Sequence, residues 1–305
     1  MRNLLFFFLV GVSLASCNNG DDSKEVKTAK DSTIRISVDE SFEPIIRAQL
    51  KVYEVAYPDT KVIASYKSEA ECLRDLQNDS TRIVIISREL NKVETQFFDG
   101  KIGFKPAFEK LAKDAIAVIV NVNSKDSVFT KDELKQMLAG KSKSAFNVAL
   151  DGKNATSTVR YLNDSLLAGK AFGSTITGAN NSEDLINYIA STDDAVGFVG
   201  ISWVTNPKNK QQEVALKQVK LALVECNMNC EKGSFARPSQ QTITFGQYPL
   251  VRGLYYVLKE NYAGLGSRLV QFLSTERGQL IFRRALLVPV KINFDRRRTQ
   301  IKMSK

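Results

Sequence analysis

Residues 33–57 read TIRISVDESFEPIIRAQLKVYEVAY, and this stretch contains the unit from which the rest of the fold is built. Apolar and polar side chains alternate over residues 34–38, which predicts a strand. After the polar turn Asp39-Glu40-Ser41, apolar residues recur at helical spacing as far as Tyr57. This pattern predicts a helix with Ser41 as its N-cap and Pro44 in its first turn.

Similar units follow along the chain. Further strands are predicted at residues 62–66, 82–86, 114–121, 146–150, 195–200 and 219–224. Further helices are predicted at residues 69–77, 131–138, 156–167, 182–190, 249–262, 266–273 and 276–285. Strands that alternate with helices indicate an α/β fold with a largely parallel sheet.

The N-terminus has the features of a lipoprotein leader. Arg2 is followed by an apolar run over residues 4–12 and by Leu14-Ala15-Ser16-Cys17. We interpret residues 1–16 as a signal peptide that is cleaved before Cys17. The pattern resembles the lipobox of bacterial lipoproteins, which implies lipidation of Cys17 and an extracytoplasmic, membrane-anchored protein. Residues 17–32 are polar and are predicted to form a flexible tether.

Composition excludes several classes of chemistry. The chain of 305 residues contains no histidine, so Ser-His-Asp catalysis, Cys-His catalysis and histidine-ligated metals are excluded. We therefore predict no cofactor, no metal and no enzyme activity. The net charge of +10 is concentrated partly in residues 291–305, which either contact an anionic partner or form a solvated end. An exported protein without interleaved basic and aromatic residues is not expected to bind nucleic acid.

Three cysteines follow Cys17. Cys226 and Cys230 are spaced for a small disulfide loop in an oxidising compartment, although two free thiols remain the alternative. Cys72 lies in a predicted helix and is interpreted as a small buried residue.

Three segments share a design in which a strand leads through a hydroxyl-rich turn into a helix. Each segment alone is typical of an ordinary capped helix, because Ser and Thr are common N-caps. Three together, with one arginine among them, predict an oxyanion site built from helix N-termini and hydroxyl groups. The candidate binding residues are Asp39, Ser41, Ser87, Arg88, Thr156, Ser157 and Thr158.

The order of these segments resembles the phosphate-binding protein family of ABC importers. Its loops Gly-Ser-Thr-x-x-x-Pro, Ala-Ser-Arg-x-Leu and Asp-Gly-Ser-Gly-Thr are matched loosely by DESFEP at 39–44, ISREL at 86–90 and NATST at 154–158. Its Gly-Tyr-Val-Gly, Tyr-Pro-Leu-x-Arg and Phe-x-x-Ser-x-Glu-Gly-Gln segments are similar to GFVG at 197–200, YPLVR at 248–252 and FLSTERGQ at 272–279, with VPV following at 288–290. The resemblance covers residues 33–290.

This resemblance implies a two-lobed type 2 periplasmic-binding fold. Lobe 1 is expected to comprise residues 33–117 and 246–305, and lobe 2 residues 118–245. The chain is expected to cross between them near residues 114–119 and 244–248, forming a hinge. The implied function is capture of an oxyanion, inorganic phosphate above all, by a monomeric lipoprotein that serves the membrane subunits of an ABC importer. The alternative is a lipid-anchored sensor or interaction protein that retains the fold without phosphate binding.

Several residues depart from the family pattern. Asp39 and Glu40 replace Gly and Ser in the first loop, and the third loop lacks both glycines. Gly152 occupies the place of the usual arginine, for which Arg160 could compensate. These departures leave three alternatives: the site binds phosphate more weakly, it binds another oxyanion, or it has lost ligand binding. Asp39 is our candidate for discriminating phosphate from sulfate; Asp151 is the second candidate, and a simple turn role for Asp39 is the alternative.

Overall fold

The computed structural model describes residues 32–142, 146–152, 156–207 and 209–290. The predicted leader, Cys17, Asn154, Ala155 and the basic segment 291–305 lie outside the described residues. The tether prediction also lies outside them, except for Ser32, which begins the first strand. No helix within the described ranges has the length and apolar composition needed to cross a membrane.

The described residues form thirteen strands. They are β1 Ser32–Asp39, β2 Thr60–Lys67, β3 Thr81–Ile86, β4 Ala107–Asn121, β5 Val128–Phe129, β6 Asn147–Leu150, β7 Thr177–Gly178, β8 Ala195–Gly200, β9 Val219–Leu221, β10 Leu223–Glu225, β11 Phe235–Ala236, β12 Val251–Leu258 and β13 Val288–Pro289.

Eleven α-helices lie between these strands in the same part of the chain. They are α1 Glu43–Ala56, α2 Glu69–Asp75, α3 Lys92–Ile102, α4 Lys131–Leu138, α5 Ser157–Leu162, α6 Ser182–Ser191, α7 Ile201–Thr205, α8 Lys210–Leu216, α9 Gln240–Thr244, α10 Leu265–Ser274 and α11 Glu276–Arg284. A 3-10 turn spans Glu40–Phe42, and a π-helical turn spans Asn163–Leu167.

A ten-stranded sheet forms the centre of the fold, with the order β2-β1-β3-β12-β4-β8-β6-β7 and with β9 and β13 also paired to β4. Strands β1, β2 and β3 are parallel, as are β6, β7 and β8. Antiparallel pairs on both sides of β4 join these two groups. The predicted α/β class is therefore confirmed, and β4 is the strand shared by both halves of the sheet.

Strand β4 changes partners near its middle. Its residues up to Ala115 pair with β12, and its residues from Ile116 onward pair with β8. This change lies inside the segment where we expect the first crossing between lobes. The lobe boundaries themselves stay a prediction.

One predicted element has the wrong type. We predicted a helix over residues 249–262, whereas the structure has the strand β12 at Val251–Leu258. This strand lies between β3 and β4, and its last five residues are buried. A strand covered on both faces has a continuous apolar run, which periodicity cannot separate from a buried helix.

The start of α1 also differs from the prediction. Ser41 is not its N-cap; Ser41 lies within the 3-10 turn, whose N-cap is Asp39. The Asp39 side chain accepts a hydrogen bond from the Ser41 N–H at 2.9 Å. Pro44 does lie in the first turn of α1, where its missing N–H is tolerated.

The cysteines occupy two different environments. Cys72 on α2 is buried in a small core that also contains Leu76, Val84 and Ile86, which confirms its interpretation as a buried residue. Cys226 and Cys230 form a disulfide in the loop between β10 and β11, with Cα atoms 6.5 Å apart.

Candidate functional site

Three hydroxyl groups meet where β1 approaches α5. Ser41 Oγ lies 3.2 Å from Ser157 Oγ and 3.2 Å from Thr158 Oγ1. All three side chains are fully buried. Ser41 follows β1, whereas Ser157 and Thr158 open α5, so the fold joins residues far apart in the chain. We call these three residues the hydroxyl cluster.

The carboxylate of Asp39 lies against the hydroxyl cluster. Besides the Ser41 N–H, it accepts the Ser157 N–H at 3.3 Å. Burial, followed by the charge of Glu69, raises the pKa of Asp39 to about 6, against a lowering effect of Arg252. A pKa of about 6 means that Asp39 changes charge close to neutral pH.

Arg252 supplies a buried positive charge. It stands opposite Asp114 in the pairing of β12 with β4, and its Nε donates to Asp114 Oδ2 at 2.8 Å. Its Nη1 donates to Ser157 Oγ at 2.8 Å and to Thr158 Oγ1 at 3.2 Å. The guanidinium lies 4.8 Å from the centre of the Phe42 ring. Its Nη2 has no hydrogen-bond partner among the described residues, which leaves a buried donor for a ligand.

The charges around Arg252 keep it ionised. Burial lowers the pKa of Arg252, but the carboxylates of Asp114, Asp39 and Asp151 raise it, and the net pKa is above the ordinary value. Burial raises the pKa of Asp114, although Arg252 opposes this effect. The pair is fixed by strand register, because the two residues lie directly opposite each other in the sheet.

Thr156 faces a carboxylate instead of the hydroxyl cluster. Its Oγ1 donates to Asp151 Oδ1 at 2.8 Å and accepts the Val159 N–H at 3.1 Å as the N-cap of α5. Asp151 also accepts a hydrogen bond from Ser41 Oγ at 3.5 Å. Burial raises the pKa of Asp151.

Glu40 bonds to the start of α6. Its two carboxylate oxygens accept the Ser182 N–H at 3.0 Å and the Ser182 hydroxyl at 2.8 Å. Burial, followed by the charge of Asp151, raises the pKa of Glu40 to about 8. A cavity of about 420 Å³ adjoins these groups, lined in part by Glu40, Asp151, Thr156 and Asn181.

Ser87 lies at the end of β3, and a side-chain carboxylate already occupies its donors. The Ser87 N–H and hydroxyl both donate to Glu69 Oε1 at 2.9 Å. Arg160 Nε donates to Glu69 Oε2 at 2.5 Å, and Arg160 Nη2 donates to Ser87 Oγ at 2.7 Å. Burial raises the pKa of Glu69, but hydrogen bonds and charge from Arg160, together with Ser87, leave it below the ordinary value.

The structure gives Arg88 partners outside the hydroxyl cluster. Its guanidinium makes two hydrogen bonds of 2.7 Å to Glu94, the residue that also closes the capping box at the start of α3. It also donates to the Glu89 carbonyl and lies 3.9 Å from Glu69. Because Glu94 neutralises Arg88, the positive charge at the hydroxyl cluster comes from Arg252, although Arg88 was the arginine that the sequence motifs indicated.

The site is more acidic than the sequence motifs indicate. Five acidic side chains lie in or beside it: Asp39, Glu40, Glu69, Asp114 and Asp151. Two arginines contact these groups: Arg160 bonds to Glu69 and Ser87, and Arg252 bonds to Asp114 and to two hydroxyls of the cluster. An anionic ligand at this position therefore needs some of the carboxyls to be protonated or displaced.

Sequence reasoning missed three residues of the site. Arg252 belongs to the segment YPLVR, which we used only as a family marker. Asp114 begins the apolar run DAIAVIVN, and a lone acid at the edge of a buried strand was the signal that a partner cation exists. Glu69 gave no signal, since its contact with Ser87 depends on how α2 packs beside β3.

The described ranges contain no group of three or more His, Cys, Asp or Glu side chains that could hold a metal ion. The donors at the hydroxyl cluster are hydroxyl and guanidinium groups, which suit the oxygens of an oxyanion.

The sequence is similar to known proteins over most of its length. A family model described as a PBP superfamily domain matches residues 23–277. The phosphate-binding protein PstS of Pseudomonas aeruginosa is 24% identical over 242 residues, which cover 72% of this chain and 71% of that protein. The phosphate-binding protein PstS of Borreliella burgdorferi is 21% identical over 294 residues, which cover 90% of this chain and 94% of that protein.

A solved structure has the same fold. It is a putative phosphate ABC transporter substrate-binding protein with bound phosphate from Clostridium perfringens. The superposition has a TM-score of 0.70 at 19% sequence identity and covers 85% of this chain and 100% of that chain. This likeness confirms the predicted two-lobed periplasmic-binding fold.

Proposed function

Because this chain belongs to the PBP superfamily, we propose that it is an extracytoplasmic solute-binding protein that captures inorganic phosphate or a similar oxyanion for an ABC importer. The names of its relatives in Pseudomonas aeruginosa and Borreliella burgdorferi support the choice of phosphate. No reaction forms part of this proposal. The membrane subunits of the importer would receive the ligand from the protein.

One observation carries the choice of an oxyanion. Arg252 donates to two hydroxyls of the hydroxyl cluster and retains an unpartnered Nη2 group, although its side chain is only 2% exposed. A buried N–H without a partner costs free energy, roughly 1–3 kcal/mol, which a ligand oxygen would recover. Hydroxyl and guanidinium donors around one point match the several acceptor oxygens of phosphate.

Ligand entry requires the hydroxyl cluster to separate. Ser41 precedes β4 in the chain and Ser157 follows it, and their Oγ atoms bond directly to each other at 3.2 Å. We place the hinge at the partner change between Ala115 and Ile116, where the two halves of the sheet meet. Opening there would replace hydroxyl–hydroxyl bonds with bonds to the ligand.

The test is a calorimetric titration of the purified full-length protein, extracted in mild detergent, with phosphate, sulfate and molybdate. We expect saturable binding of phosphate with one site per chain and weaker binding of sulfate. Sodium chloride at the same ionic strength is the control for unspecific charge effects. A folded protein that binds none of the three oxyanions would contradict the proposal and favour the sensor or interaction role.

Lipid anchoring through Cys17 is part of the same proposal. We expect Cys17→Ser to lose metabolic lipid labelling and to leave the membrane fraction, because Cys17 is the lipobox cysteine that would carry the lipid. Cys72→Ala is the matched control, since Cys72 is buried in the folded body and should not affect fractionation. Unchanged labelling of the Cys17→Ser protein would refute the lipoprotein assignment.

A further inference from the structure

Glu69 has the contacts that a bound oxyanion would have. Its carboxylate accepts a backbone N–H and a hydroxyl from Ser87, at 2.9 Å each, and a guanidinium N–H from Arg160. These three donor types are the ones that bind phosphate and carboxylate ligands in proteins. Only 3% of the Glu69 side chain is exposed, so the carboxylate is enclosed by its donors.

The Glu69 carboxylate also links segments that precede β4 in the chain to a helix that follows it. Glu69 opens α2 and Ser87 follows β3, whereas Arg160 lies on α5. Arg160 Nε donates to the Glu69 carboxylate, and Arg160 Nη2 donates to Ser87 Oγ at 2.7 Å. The same helix α5 carries Ser157 and Thr158 of the hydroxyl cluster. Glu69 therefore holds α5 in place by bonds that exist without any ligand.

Glu69 is electrostatically linked to the proposed ligand site. Its charge is the second cause, after burial, of the raised pKa of Asp39. Asp39 in turn bonds to the Ser41 and Ser157 N–H groups at the hydroxyl cluster. An ionised Glu69 thus disfavours further negative charge in this region.

We propose that Glu69 is a built-in competitor for the oxyanion, which holds the Ser87 and Arg160 donors and sets how strongly the site binds phosphate. This inference rests on the proposed function and deepens it. Phosphate gains the donors of Ser87 and Arg160 only when Glu69 releases them. A protein with this competitor is half-saturated at a higher phosphate concentration than a protein whose Ser87 and Arg160 donors are free.

The experiment is a phosphate titration of the full-length protein carrying Glu69→Gln, which removes the charge and retains the shape. We expect affinity to rise about 10-fold or more, because repulsion falls and the amide holds Ser87 and Arg160 less tightly. Glu89→Gln is the matched control, since Glu89 lies two residues after Ser87, is exposed and has the same charge. We expect it to change affinity less than about 2-fold.

A double-mutant cycle separates displacement from a general charge effect. If Glu69 masks Ser87, then Ser87→Ala should lower phosphate affinity about 5-fold or more in the Glu69→Gln protein and much less in the wild type. Circular dichroism of each variant confirms that it is folded. Equal effects of Ser87→Ala in both backgrounds would overturn the proposal.

The outcomes distinguish the two proposals. If the wild type binds phosphate and Glu69→Gln binds it no better than Glu89→Gln does, the competitor role of Glu69 is refuted and the proposed function stands. If Glu69→Gln binds phosphate and the wild type does not, Glu69 is confirmed as a competitor and the proposed function is refuted for the natural chain. If neither binds, both proposals fail.

Discussion

An Arg252→Ala variant is expected to lose phosphate binding by more than about 100-fold and to be markedly less stable. The binding loss follows from removing the donor to Ser157 and Thr158 together with the unpartnered Nη2. The stability loss follows because Asp114, which is fully buried, would lose the guanidinium that pairs with it. Breaking a buried ion pair from one side costs about 3–5 kcal/mol.

Two further variants separate binding from folding. The double variant Arg252→Met with Asp114→Asn removes both charges, so we expect most of the stability to return while phosphate binding stays lost. Arg252→Lys keeps the charge, but one ammonium group cannot contact Asp114 and both hydroxyls as the guanidinium does. We expect it to fold and to bind roughly 10- to 100-fold more weakly than the wild type.

Thermal unfolding and calorimetric titration with phosphate measure the two effects. Arg284→Ala is the control, because it removes the same charge from an exposed position at the end of α11. Phosphate binding by the folded double variant at wild-type affinity would exclude Arg252 as a ligand residue.

Most of the fold could be predicted from local patterns. The alternation at residues 34–38 and the helical spacing after it correspond to β1 and α1, because each pattern depends on which face of the element is buried. The prediction failed at β12, where both faces are buried and no pattern remains. The order of strands around β4 follows from pairing across long distances in the chain, which periodicity does not specify.

The site was harder to predict than the fold. Ser41, Ser157 and Thr158 do meet in the structure, although β1 and β6, which lead to them, belong to the two different parallel groups that β4 joins. Sequence could not show which arginine joins them. Arg88 lies beside Ser87 in the chain but pairs with Glu94, whereas Arg252 reaches the cluster through its register opposite Asp114.

The preference for phosphate over sulfate is expected to depend on pH through Asp39. Phosphate carries at least one proton between about pH 5 and pH 8, and sulfate carries none. Ionised Asp39 can accept the hydrogen bond of that proton, but it repels sulfate. Burial raises the pKa of Asp39 to about 6, so Asp39 is ionised at pH 7.5 and protonated at pH 5. Protonated Asp39 is uncharged and can donate to sulfate, so sulfate affinity should rise as pH falls.

The expected size follows from the protonated fraction of Asp39. With a pKa of about 6, this fraction rises from about 0.03 at pH 7.5 to about 0.9 at pH 5, so sulfate affinity should rise roughly 30-fold. Asp39→Asn removes the titrating group. The ratio of phosphate affinity to sulfate affinity should then be smaller than in the wild type at pH 7.5 and should vary little with pH. Competition titrations of phosphate and sulfate at pH 5, 6 and 7.5 measure both effects, with Asp99→Asn as an exposed control. A wild-type preference that stays constant over this range would show that Asp39 only caps the Glu40–Phe42 turn.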